Sequence, residues 1–117
     1  MERRIIVDEI IILINQHFGS FKFKLNENTR IEEDLDITGD EAVRFIQLLS
    51  DQYDLALSEF EFTKYFHEEG SGLINFGFII RKFLNQPIPK RSNYELTIND
   101  MANWVKRGEW IDPELMV

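Results

Sequence analysis

The stretch Glu33-Asp34-Leu35-Asp36-Ile37-Thr38-Gly39-Asp40-Glu41-Ala42 reads as the approach to a helix and its first turn. Thr38 is a residue type that caps helices, and Glu41 follows at capping-box spacing. Ile37 precedes the cap as a hydrophobic staple would. Asp40 and Glu41 fall in the first turn, where the helix dipole favours acids. Val43, Phe45, Ile46, Leu49 and Tyr53 then form a broad apolar face, with Leu48 beside it. This pattern predicts a helix over 38–53.

Toward the N-terminus, Ile6, Ile10, Leu13, Ile14 and Phe18 recur near helical spacing, which predicts a helix over 3–18 stopped by Gly19. Its isoleucine content also suits a strand, but its length and polar positions favour the helix. Residues 19–37 form a long connection. Phe21, Phe23 and Leu25 alternate with lysines there, and Ile31 and Leu35 are spaced to plug a core. A loop of this length in a small domain needs a reason.

Toward the C-terminus, residues 54–69 mix apolar and polar positions and suit a short helix after Ser58. Gly70-Ser71-Gly72 breaks the chain. Residues 73–84 are again helical in spacing, with a strand as the alternative, and Pro87 and Pro89 forbid continuation. A last helix starts at Thr97 with Asp100 at N3. Met101, Trp104 and Val105 lie on one face of it, Gly108 ends it, and Trp110 is expected to fold back on the core. No linker or repeat interrupts this order, so residues 1–117 read as one all-α domain.

The bulk numbers narrow the functions. Apolar residues make up 44% of the 117, enough for one core, and ten phenylalanines can fill it. Net charge is −8, from 21 acids and 13 bases. Such a chain repels nucleic acid and anionic membranes and suits a partner with a basic patch. The absence of cysteine excludes disulfides and thiol chemistry. The basic, then apolar N-terminus is interrupted by Asp8 and Glu9 and lacks a cleavage site, and no apolar run spans a bilayer. The expected location is the cytoplasm.

Several segments together resemble the acyl carrier proteins. Glu33-Asp34-Leu35 aligns with the acidic lead-in to their second helix, and Ala42-Val43-Arg44-Phe45 with its continuation. Tyr53-Asp54-Leu55-Ala56-Leu57 is similar to a downstream carrier motif, and Leu96-Thr97-Ile98-Asn99-Asp100-Met101 to the opening of their last helix. The resemblance covers 3–66 and 95–106. The Gly-x-Trp ending and the Thr-Gly-Asp helix start are also similar to uncharacterised bacterial carrier-like proteins. The resemblance implies a small bundle of four main helices, with residues 67–94 inserted before the last one.

In carriers a serine at the start of the second helix bears phosphopantetheine. Here that position is Gly39, which has no side chain to form the phosphodiester, so no cofactor is expected. Asp40 stands where carriers have a leucine, and Arg44 where they present an acid to partner enzymes. The weak alternative for attachment is Thr38, whose hydroxyl is better explained as the cap acceptor. Ser58, Ser71 and Ser92 lie outside the matching motif.

Other chemistry finds little support. His67-Glu68-Glu69 could contribute metal ligands but lacks companions at ligand spacing, and His17 suits the end of a helix. Glu32, Glu33, Asp34 and Asp36 lack the spacing of a calcium loop. No catalytic or metal residue is assigned. The reading is therefore a non-catalytic interaction module, a monomer or weak dimer. It would bind a protein partner through Asp40, Glu41 and Asp51, with Arg44 altering partner choice. The alternatives are a genuine carrier modified at an atypical hydroxyl and a binder of a small apolar ligand.

Overall fold

Helix α1 forms over Arg3–Phe18, as the isoleucine spacing predicts, and buries Ile6, Val7, Ile10, Leu13 and Ile14. Gly19 ends it in a backbone conformation that side chains disfavour, at φ 94°. The computed structural model describes residues 2–66 and 92–116.

Helix α2 runs over Gly39–Tyr53 and buries Ala42, Val43, Phe45, Ile46 and Leu49. Asp54 closes it in the left-handed region, its N–H donating to the Ser50 carbonyl. Tyr53 ties α2 to α1 by donating to the Glu9 carboxylate at 2.7 Å.

A single turn, α3, forms at Phe62–Tyr65. Helix α4, Ile98–Arg107, has the full capping box its sequence predicts. The Thr97 side chain accepts from the Asp100 N–H, and the Asp100 carboxylate accepts from the Thr97 N–H. Gly108 ends α4 at φ 81°, and α4 lies against α1. A 3-10 turn over Pro113–Met116 follows.

The architecture is all-α, but the expected bundle of four main helices is not what forms. Among the described residues there are three main helices, of 16, 15 and 10 residues. Between Asp54 and Phe66 the short helix expected after Ser58 forms only as the single turn Phe62–Tyr65, not as a fourth main helix. Phe60 and Phe62 are both fully buried, two positions apart. Side chains at that spacing leave a helix on different faces, and the chain instead makes a tight turn at Ser58 and Glu59, where the Phe60 N–H donates to the Leu57 carbonyl at 3.1 Å, before the helical turn begins. The proposed insertion falls outside the described residues except for 92–94, as do the helical spacing over 73–84, His67 and Ser71. The chain returns beside the point it left, because the Ser92 N–H donates to the Lys64 carbonyl at 2.9 Å.

The long connection between α1 and α2 has a tertiary purpose. The Ile31 N–H donates to the Leu96 carbonyl at 2.8 Å, and the Ile98 N–H to the Thr29 carbonyl at 3.0 Å. This short antiparallel pairing fixes the loop to the start of α4. Ile31, Leu35 and Ile37 then reach the core. Arg30 braces the turn by pairing with Asp34 at 2.8 Å and Glu95 at 3.0 Å, and hydrogen bonds from Arg30 hold the Asp34 carboxyl below its usual range.

The tail after Gly108 seals one end. Trp110 is buried against Phe60, Tyr65 and Trp104, and Asp112 pairs with Lys64. Burial alone would raise the Asp112 carboxyl, but Lys64 and the Glu114 N–H outweigh it and hold the carboxyl below its ordinary value. The unfolded chain therefore takes up this proton first as pH falls. The stabilisation is present above the ordinary aspartate value of about 4 and is lost below it. Asp112→Asn should cost about 1–2 kcal/mol at neutral pH. Its unfolding midpoint should converge on that of the parent as pH drops through that value. An equal deficit in acid and at neutrality would mean the ion pair is not the cause.

Candidate interaction face on the second helix

The start of α2 differs from its sequence reading in one respect. Thr38 is the N-cap residue, but its side chain makes no cap hydrogen bond. Its hydroxyl instead donates to the Glu32 carboxylate, so the expected capping box with Glu41 does not form. The competition is local, since the turn of residues 30–36 brings Glu32 back to the helix start. A charged acceptor makes a stronger bond than a neutral one, which favours this use of the hydroxyl.

Gly39 follows, buried and in the left-handed region at φ 56°. That conformation costs an L residue about 1–2 kcal/mol. The carrier position thus lacks an oxygen and also has a backbone suited to glycine. Thr38, the weak alternative, is only half-exposed and holds its hydroxyl against a carboxylate that would repel an incoming phosphate. These residues do not fit a phosphopantetheine group.

Asp40, Glu41, Arg44 and Asp51 are all exposed. Asp40, Arg44, Gln47 and Asp51 share one stripe of α2 by helical periodicity, and Glu41 flanks it. At 1.5 Å per residue the stripe is about 16 Å long. Gln47 and Asp51 also border a shallow recess with Ser50 and Leu57.

Arg44 has a role the sequence did not reveal. It reaches the end of α1, with contacts of 3.4 Å to the His17 carbonyl and 3.5 Å to His17 Nδ1. Its guanidinium lies 5.4 Å from the Phe18 ring centroid. A cation at a helix C-terminus complements the dipole, so part of its charge is spent within the fold. The acids dominate what the stripe offers a partner.

Among the described residues, no group of three or more acids or histidines is placed to hold a metal ion, and no helix is long and apolar enough to cross a membrane. Residues 3–112 match the model of DUF1493, described as a protein of unknown function. The chain belongs to the DUF1493 family. The match is one span that includes residues 67–94. No curated protein and no solved structure matches the chain.

Proposed function

We propose that this DUF1493 protein is a non-catalytic interaction module of the bacterial cytoplasm, similar to acyl carrier proteins around the start of α2 but not loaded with phosphopantetheine. Its partner is a protein with a basic patch, engaged through Asp40, Glu41 and Asp51. The observation that carries this reading is the start of α2. A buried left-handed glycine stands where a carrier needs a serine, beside acids that remain exposed. An exposed acidic face without the attachment residue suits recognition rather than group transfer.

The test uses charge reversal on that face. Asp40→Lys with Glu41→Lys should leave the helical circular dichroism intact, because both side chains are exposed. The partner should be captured by the parent at low ionic strength, released by salt and lost by the double variant. Asp8→Lys with Glu109→Lys changes net charge equally at other exposed positions and should retain capture. Equal behaviour of the two double variants would reject this face.

A further inference from the structure

The acidic stripe of α2 has a basic counterpart on the same chain. Just after α1, Phe21-Lys22-Phe23-Lys24 runs along the surface before Leu25 enters the core. Phe23 is 48% exposed, whereas Phe21 packs against the core. The two rings lie 6.0 Å apart at 49°, so Phe21 backs the exposed ring. Lys22 and Lys24 are both exposed, and neither takes part in an ion pair among the described residues. Ile5, Ile12 and Leu115 are also exposed, but none of them has a basic residue on both sides.

The recess bordering α2 offers the complement in shape and charge. Gln47, Ser50, Asp51 and Leu57 line a volume of about 280 Å3. A cavity of about 150 Å3 accommodates benzene, so a phenyl ring fits. Leu57 packs against the core and gives the recess an apolar edge. Asp51 is exposed and has no ion pair among the described residues. Arg44, two turns earlier on the stripe, reaches instead for the end of α1.

We propose that the partner of the α2 face is a second copy of this chain, with Phe23 of one copy seated in the recess of the other and Lys22 and Lys24 beside Asp51. The inference rests on the reading of the α2 stripe as a docking surface and names the basic patch that it receives. Aromatic anchors carry much of the energy of an interface, and a ring already held by its neighbour loses little freedom on docking. Nucleic acid or an anionic membrane would be drawn to Lys22 and Lys24 but repelled by a chain of net charge −8. A copy of the chain brings its acids to the lysines instead. One anchor and a few charges bury little area, so the contact is transient, with a Kd on the order of 1 mM.

The experiment is sedimentation equilibrium of the full chain. At about 0.1 M salt the Debye length is about 10 Å, which screens whole-chain repulsion and spares charges in contact. The average mass should rise above that of the monomer as the protein approaches about 1 mM, and fall back in about 1 M salt. Phe23→Ser should weaken association about tenfold. Lys22→Glu with Lys24→Glu should abolish it, and so should Gln47→Lys with Asp51→Lys. Mixed in equal amounts, these two double variants should regain the association of the parent, because each contact between them joins opposite charges. Arg4→Glu with Lys106→Glu, at other exposed positions, should behave as the parent. All these side chains reach solvent, so helical dichroism should be unchanged in every variant. A monomer at every concentration, undiminished association of Phe23→Ser, or no recovery in the mixture would each overturn the proposal. A parent that stays monomeric while Asp40→Lys with Glu41→Lys loses a captured protein would reject self-pairing and leave the α2 docking surface standing.

Discussion

Phe60→Ala should lower the stability of the protein by about 3–5 kcal/mol, the cost typical of truncating a fully buried aromatic. Phe60 has no exposed surface. Its ring stacks on Trp104 at 5.1 Å and 3° and meets Trp110 at 4.8 Å and Phe62 at 5.0 Å. These neighbours come from α3, α4 and the tail, and each is held by other contacts, so collapse around the missing ring will be partial. Domains of this kind have only about 5–15 kcal/mol in total. The thermal midpoint should fall by roughly 12–20 °C, at about 4 °C per kcal/mol. Leu115→Ala is the matched control, because that side chain is 81% exposed. It should change stability by less than about 0.5 kcal/mol. Heating curves followed by far-ultraviolet dichroism decide this, and a Phe60→Ala loss below about 1 kcal/mol would mean the cluster is not the centre of the core.

Gly39→Ser should fail to create a carrier. The substitution supplies the hydroxyl that the alignment lacks, but at a buried position with φ 56°. The expected cost is about 1–2 kcal/mol from the backbone alone. Intact mass should not change on incubation with coenzyme A and a broad phosphopantetheinyl transferase, while a genuine carrier in the same tube gains mass. A melting curve of the variant shows whether the protein offered to the enzyme is folded. A mass gain by folded Gly39→Ser would mean that the backbone at this position tolerates loading, and that the chain is one substitution from carrier chemistry. A gain by the parent would remove the argument from Gly39 altogether and direct attention to Thr38.

The three main helices were legible because their signals are local. Apolar spacing set α1 and α2, while Thr97, Asp100 and Gly108 bounded α4. The burial of Ile31, Leu35 and Trp110 was also readable, since large apolar groups near charged chain have few other places to go. What was hidden depends on partners far along the chain. The loop after α1 is fixed by pairing Ile31 with Leu96, which no window around either residue reveals. Arg44 looked like a surface charge because its partners, His17 and Phe18, lie in the preceding helix. The Thr38 hydroxyl was assigned to the backbone because propensity describes average use, and the nearby Glu32 redirected it. Residues 54–66 hold the short helix expected after Ser58 as a single turn, Phe62–Tyr65, and no longer one. Their aromatic density suits a helix or a knot of rings equally, and the choice rests on Trp104 and Trp110.

The chain has two tryptophans, and both belong to this one cluster, with ring centroids 5.2 Å apart at 72°. Intrinsic fluorescence is therefore a single-site reporter of tail closure. Its emission wavelength tracks the water reaching Trp104 and Trp110, both buried in the native state. The exposed stripe of α2 carries no indole, so a partner seated there contributes little to this signal.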